Sequence, residues 1–297
     1  MTETYIAGID IGGSHITAAL IDVEKRMVLE QTKKRAPVNS QEAADLIIQS
    51  WVQTIEESFD VLGLVPGKLA VAMPGPFDYA VGTSLMQGQN KFDALYGINI
   101  KELLAAALHL SPSAISFAND AACFLQGELF GGVATGTHAA FGLTLGTGFG
   151  SARASNGHAE DANLWCAPFK DGIAEDYLSG RWLARRYSEL TGSDVADLKE
   201  LVGDGFRNSH WKTVFEEFGS NLGEFLAPYL KSENVELVVL GGSIAHSFEL
   251  FNPALQRHLE ENDIRARIYK STLGEDAAML GAVSFSINEP SHLATYT

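Results

Sequence analysis

The chain is predicted to be an α/β protein built as two domains, and three observations lead there. Short apolar runs alternate with stretches of helical periodicity along the 297 residues. That length suffices for two domains of ordinary size, each with a substantial core. Finally, a run of one design occurs in each half: Ile6–Ile16, containing Asp10-Ile-Gly-Gly-Ser14, and Phe141–Gly150, with glycines at 146, 148 and 150. In both, a β-prone segment leads into a turn short of side chains, where backbone N–H groups can converge on an anion. Two such strand-turn-strand elements suggest two jaws around a polyphosphate.

Composition narrows the classes. With 46% hydrophobic residues the chain reads as globular, and a formal charge of −16 argues against a general nucleic-acid surface, which needs clustered Lys and Arg. Lys33-Lys34-Arg35 and Arg181 with Arg185-Arg186 read as solvated faces or local ion pairs. Met1-Thr-Glu-Thr lacks the basic start of a signal peptide, and no apolar run is long enough to span a bilayer. Cys123 and Cys166 are too few for a disulfide scaffold, so a reducing cytoplasm is the expected home.

Taken in order, Tyr5–Ile11, Ile16–Asp22 and Met27–Gln31 read as strands joined by tight turns, with Gly12-Gly13 as the first turn. Gln41–Phe59 carries a helical stripe through Ile47, Ile48, Trp51 and Ile55. Leu69–Met73 is a buried-type strand running into Pro74-Gly-Pro, followed by a loop-like segment from Gly82 to Gly97. A helix around Ile100–Leu108 and a strand Ile115–Ala118 follow, with Asn119-Asp120 at the junction to a helix Ala121–Phe130. Ser155–Gly172 shows little periodicity. Glu175–Tyr187 and Trp211–Tyr229 read as helices, Val235–Leu240 as a strand ending at Gly241-Gly242-Ser243, and Ile244–Leu250 as helical. A strand Arg265–Tyr269 and a helix Asp276–Phe285 close the fold, with an unstructured tail from Asn288. The expected domains are 1–118 and 119–275, with a C-terminal helix, 276–288, packing back on the first.

Each motif has a plain alternative. Asp10–Ser14 could let a phosphate approach Gly12 and Gly13 while Asp10 faces a metal ion, or it could be an ordinary hairpin turn. Gly146, Thr147, Gly148 and Gly150 could likewise form a β-turn only. Neither is a P-loop, since no Gly-Lys-Ser/Thr closes it, nor a Rossmann fingerprint, since the flanks are strands. Asp120 could cap its helix; a carboxylate there also gains from the helix dipole, and the two roles can coexist. Gly241, Gly242 and Ser243 suit a purine or ribose lying against bare backbone, or simply a turn into a helix. Glu160 and Glu175 could be surface acids, and His15, His158 and His246 are isolated.

Read together, these elements resemble the ATP-dependent sugar kinases of the actin, Hsp70 and hexokinase architecture, and most closely the ROK (repressor, open reading frame, kinase) group, over roughly Tyr5 to Phe285. The resemblance implies a two-domain actin-like ATPase (ribonuclease H-like) fold with a central cleft. It implies that Asp10, Gly12, Gly13, Ser14 and His15 form a first phosphate loop, Gly146, Thr147, Gly148 and Gly150 a second, and Gly241–Ser243 an adenosine contact. Asn119 and Asp120 correspond to a sugar-binding Asn and the catalytic base. Gly157-His-Ala-Glu160 and Ile173-Ala-Glu175-Asp-Tyr-Leu-Ser-Gly180 resemble segments that each carry a sugar-binding Glu, while Gly75 and Asn90 match positions lining the sugar cleft.

Three departures stand out. Many ROK proteins carry a His and a Cys-rich cluster for structural zinc; this chain has Asn163, a solitary Cys166 and Lys170-Asp-Gly172, and one thiol cannot build the usual site, so no zinc is expected. The missing His usually contacts sugar hydroxyls, which bears on the sugar's identity. His15 stands where a Lys is common, so one phosphate contact is expected to be weaker or dependent on pH.

The resemblance thus implies a cytoplasmic kinase moving the γ-phosphoryl group of ATP to the 6-hydroxyl of a hexose, glucose first. An N-acetylhexosamine, mannose or fructose kinase and a polyphosphate-dependent glucokinase are the alternatives. Asp10 would act on Mg²⁺ through water, Asp120 would take the hydroxyl proton, and Asn119, Glu160 and Glu175 would read the sugar. Neither nucleic acid nor membrane is an expected partner; a homodimer is, by analogy. Two non-enzyme readings stand against it: a sugar- or nucleotide-sensing ROK protein, which as a repressor would need a DNA-binding domain ahead of Asp10, and an actin-class binding protein lacking the Asn-Asp pair.

Overall fold

The structure, a computed structural model, describes residues 5–88, 91–192 and 209–288. These fall into two compact units: unit 1 takes the described residues within Met1–Thr135 and Glu275–Thr297, unit 2 those within Gly136–Gly274.

Unit 1 is built on a sheet of β1 (Tyr5–Ile11), β2 (His15–Asp22), β3 (Met27–Val28), β4 (Lys34–Pro37), β5 (Leu69–Met73) and β8 (Ile115–Asn119). The order is β3-β2-β1-β5-β8, with β4 also on β2; β1 and β2 are antiparallel, whereas β1, β5 and β8 run parallel. β5 is buried at all five positions, as a central parallel strand must be, and its sequence LAVAM is accordingly apolar throughout. A small hairpin, β6 (Phe77–Asp78) with β7 (Thr83–Ser84), follows β5.

Alternation along β1 sorts its side chains to two faces. Ala7, Ile9 and Ile11 join a core with Ile47, Ile48, Trp51, Ile55 and Phe59 of α1 (Ala44–Asp60), whose apolar residues recur at helical spacing. α2 (Ile100–Ala107), capped by the Asn99 side chain on the Glu102 N–H at 3.0 Å, adds Leu104 to the same core. Asp10 points to the opposite face. That face is covered by α3 (Asp120–Gly131) and the last helix among the described residues, Asp276–Asn288, which pack on each other. Their backbones nearly touch: a Cβ on Gly127 would lie 2.0 Å from the Ala277 carbonyl oxygen, and one on Gly281 would lie 1.8 Å from that of Cys123.

Unit 2 repeats the plan. Its sheet comprises β9 (Ala139–Leu145), β10 (Phe149–Ser155), β11 (His158–Asp161), β14 (Leu237–Gly241) and β15 (Arg267–Lys270), in the order β11-β10-β9-β14-β15. Again the first three strands form an antiparallel meander and the last two lie parallel to the first. A short ribbon, β12 (Pro168–Phe169) with β13 (Gly172–Ile173), leads to α4 (Ala174–Tyr177) and α5 (Gly180–Thr191). Next come α6 (Ser209–Ser232) and α7 (Phe248–Glu261), which pack together, and α8 (Asp276–Asn288), the helix that returns to unit 1. Phe215, Phe218, Leu222 and Phe225 of α6 meet Phe141, Leu143 and Phe149 of the sheet in one core.

Three expectations are revised. The change of unit comes at Thr135/Gly136 rather than at residue 118/119, because α3 packs on α8 and so stays in unit 1 with Asn119 and Asp120. The helix expected over Glu175–Tyr187 is broken: Leu178 and Ser179 leave the helical path and a new helix starts at Gly180. Gly150, expected in a loop, lies inside β10 opposite Thr144, since the ladder resumes at Phe149.

Candidate functional site

In unit 1 the sequence-predicted residues gather at one edge of the sheet. Three parallel strands end together: Asp10 is level with Ala72, and Ala72 with Ala118. The turn Gly12–Ser14, the segment Pro74–Gly75 and the Asn119–Asp120 junction therefore share the carboxyl ends of β1, β5 and β8, where open α/β sheets bind their ligands. Asn90, the remaining cleft residue expected from sequence, lies outside the described residues.

The junction is held tightly. Asn119, not Asp120, is the N-cap of α3: its Oδ1 accepts the Ala122 N–H at 3.0 Å. Its Nδ2 donates to the Tyr79 hydroxyl at 3.2 Å, and that hydroxyl donates to the Met73 carbonyl at 3.1 Å. Tyr79 thus ties β8 to the end of β5, a role that no pattern in the sequence announced. Asp120 becomes the first helical residue, half-buried, with Oδ1 accepting the Ala121 N–H at 2.9 Å.

Charge dominates this edge. The Asp10 carboxyl is pushed up to about 7, chiefly by burial, then by the carboxylates of Asp120 and Glu275, with Arg35 pulling it down. The cause is the face on which it sits, where α3 and α8 bring Asp120 and Glu275 near. Arg35 pairs with Glu275 at 2.5 Å and Lys33 pairs with Asp276, so the basic cluster at the entry to β4 holds the start of α8. The first turn itself is exposed at Gly13 and Ser14, braced by Gly12 N–H to His15 carbonyl at 2.9 Å and by Ser14 Oγ with His15 Nδ1 at 2.8 Å.

No group of three or more His, Cys, Asp or Glu among the described residues is spaced to hold a metal ion. The chemistry of Asp10 and Asp120 nonetheless suits Mg²⁺, which takes one or two carboxylates and completes its shell with phosphate and water. A hard cation would offset both the burial and the neighbouring carboxylates that raise Asp10.

In unit 2 two further predicted segments meet. β9 and β14 are parallel neighbours with Gly241 beside Thr144, so the turn Gly146–Gly148 and the turn Gly241–Ser243 emerge side by side. Gly242 has φ +83°, and a Cβ there would fall 2.3 Å from the Leu145 carbonyl oxygen, so only glycine fits. The first of these turns is clamped from three sides. Gly146 N–H donates to the Gly148 carbonyl at 3.1 Å, and the Gly146 carbonyl accepts the Gly180 N–H, the first of α5, at 2.7 Å. Phe149 packs its ring on Phe225 with centroids 5.7 Å apart, while its N–H donates to Glu175 Oε2 at 3.0 Å.

The two acids expected to read a sugar are not together. Glu175 belongs to this turn and pairs with Arg181 through its other oxygen. Glu160 stands exposed on the edge strand β11, paired with Arg153 Nε at 2.7 Å, four residues up β10 from Phe149, or about 13 Å at the usual rise per residue. Cys166 is exposed, its Sγ 3.8 Å from the Asn163 carbonyl oxygen.

Comparison with known proteins gives a consistent result. The model of the ROK family matches residues 6–289. An N-acetyl-D-glucosamine kinase of Photobacterium profundum is 23% identical, the match covering 95% of this chain and 99% of that protein. A glucokinase of Thermotoga maritima is 24% identical over 96% of this chain and 98% of its own length. Among solved structures, a ROK family glucokinase from Streptomyces griseus in complex with glucose and AMPPNP superposes with a TM-score of 0.77 at 20% identity, covering 95% and 98% of the two chains.

Proposed function

This chain belongs to the ROK family, whose model spans nearly its whole length, and from that membership we propose an ATP-dependent hexose kinase whose catalytic base is Asp120. The enzyme class is that of its kinase relatives, a phosphotransferase with an alcohol group as acceptor. The acceptor we assign is the 6-hydroxyl of glucose, in keeping with the glucokinase relative.

The observation that carries the proposal is the edge of unit 1, with Asp120 at the first position of α3 near the raised carboxyl of Asp10. Phosphoryl transfer asks a protein mainly for alignment and charge compensation. Asp120 accepts the proton of the sugar hydroxyl as its oxygen bonds to the γ-phosphorus and ADP departs, a contribution of about 10²–10⁴-fold. Asn119, fixed by Tyr79 and by its capping bond, orients the sugar, and Gly75 lines the same sheet edge. Asn90 would join them by the family pattern alone, as would Glu160 and Glu175, whose carboxylates are here engaged by Arg153 and by Arg181 with the Phe149 N–H. Gly12, Gly13, Ser14 and His15 supply one set of phosphate contacts. Gly146, Thr147 and Gly148 supply the second, with Gly150 behind them in β10, and Gly241, Gly242 and Ser243 meet the adenosine. Asp10 would hold Mg²⁺ through water, where the ion offsets phosphate charge.

A second acceptor class has specific support, since the N-acetyl-D-glucosamine kinase matches at almost the same identity as the glucokinase. The deciding experiment is a nucleotide-release assay with MgATP, and separately with polyphosphate, across glucose, mannose, fructose, N-acetylglucosamine and N-acetylmannosamine. Glucose should give the highest kcat/KM with MgATP. Preference for an N-acetyl sugar transfers the assignment to the second class, and no response to any sugar overturns the kinase.

A further inference from the structure

Glu175 sits where its charge opposes the role proposed for the Gly146–Gly148 turn. Its Oε2 takes the Phe149 N–H at 3.0 Å, and the Cβ that Gly148 lacks would lie 2.6 Å from that same oxygen. The carboxylate is therefore packed directly against the turn, and it consumes one amide that a phosphate would otherwise meet. Left bare, it would weaken polyphosphate binding by on the order of tenfold through repulsion alone at partly buried sites.

The structure supplies a remedy at the other oxygen, Oε1, which accepts from the Arg181 guanidinium. Arg181 is the second residue of α5, and the residue before it donates its N–H to the Gly146 carbonyl at 2.7 Å, so helix, carboxylate and turn form one unit. The Glu175 side chain is 23% exposed and that of Arg181 65%. The acid is thus shielded by protein while the cation stays open to solvent.

We propose that Arg181 is a positioning residue for nucleotide binding, acting through Glu175: it cancels the carboxylate's charge beside the turn and fixes the oxygen that holds Phe149 N–H. The proposal rests on the nucleotide-binding role assigned above to Gly146–Gly148. An ion pair this exposed ordinarily contributes little to stability. Its loss should accordingly be felt in nucleotide affinity and scarcely in melting temperature, which separates positioning from a merely structural role.

The test is the Kd of AMPPNP with Mg²⁺, measured by calorimetry, together with melting temperatures. Arg181→Ala should bind about tenfold more weakly than wild type, and Arg181→Lys should recover most of the loss. The double variant Glu175→Gln/Arg181→Gln, which removes both charges, should return to within about threefold of wild type, since the two residues act as one coupled pair. Should Arg181→Ala unfold, Arg181→Gln replaces it at nearly unchanged shape. Wild-type affinity in Arg181→Ala, or a double variant no tighter than the single one, overturns the inference alone. A wild-type chain that neither binds AMPPNP nor phosphorylates any sugar overturns the proposed function, and this inference with it.

Discussion

The two glycine turns occupy equivalent places in sheets of the same strand order, yet they are built on different physics. The turn of unit 1 is open. A Cβ on Gly13 would meet nothing nearer than Lys91 Cδ at 3.9 Å, and the strain beside it is electrostatic, stored in the Asp10 carboxyl. The turn of unit 2 is packed, with the Phe149 ring, the Glu175 carboxylate and the first turn of α5 all against it. One is held ready by charge that a cation can relieve; the other is held by volume that nothing can relieve. A pair of similar glycine motifs therefore tolerates quite different substitutions.

The largest expected effect lies on the charged side. Asp120→Asn should lower kcat by about 10²–10⁴-fold, while calorimetry finds sugar affinity within a few-fold of wild type. A kcat near the wild-type value would remove Asp120 from the chemistry. On the packed side, Gly242→Ala meets both a positive φ and a contact of 2.3 Å with Leu145, and should destabilise by about 3 kcal/mol in denaturant titrations. If it melts like wild type, the packed turn is softer than described.

Next in size is a pH effect on stability. The folded-state carboxyl of Asp10 is raised from 3.8 to about 7, so between those values the folded protein keeps a proton that the unfolded chain has released. Its contribution to stability falls as pH rises through that window and is fully unfavourable above it. Asp10→Asn should therefore melt several degrees above wild type at pH 8 without magnesium, with the gap narrowing steadily toward pH 5. A gap independent of pH would show that charge is not what strains this edge. The smallest effect is that of Gly13→Ala, whose stability should stay within about 0.5 kcal/mol of wild type while its KM for MgATP rises. A stability loss as large as that of Gly242→Ala would erase the contrast between the two turns.

Much of this is legible in the sequence. The strands Tyr5–Ile11 and Leu69–Met73 have the bounds that the sequence predicts, because β-branched and apolar runs ending in Gly or Pro leave few alternatives. The helical stripe of α1 was equally plain. What escaped is what depends on partners far along the chain. Lys33 and Arg35 read as a solvated face or as local ion pairs, and their long-range partners, Asp276 and Glu275, lie some 240 residues on. Glu175–Tyr187 kept helical periodicity through Leu178 and Ser179, and only the docking of Gly180 on Gly146 explains the break. Asp120 and Asn119 compete for one cap, and register with Met73 gives it to Asn119. Tyr79 carries no signal, since its partners are set by tertiary contact, whereas Arg181 forms a local ion pair with Glu175, one of the two readings its cluster leaves open.

The close crossing of α3 and α8 has a consequence for how the molecule comes into being. The helix that covers Asp10 alongside α3 is made only after unit 2, so during synthesis the first sheet must wait, with α3 alone on that face, while all of unit 2 is assembled between its two parts. A nascent chain halted after Gly274 should bury unit 2 while leaving β1 and β5 open to proteases, and release of α8 should close them in a single step.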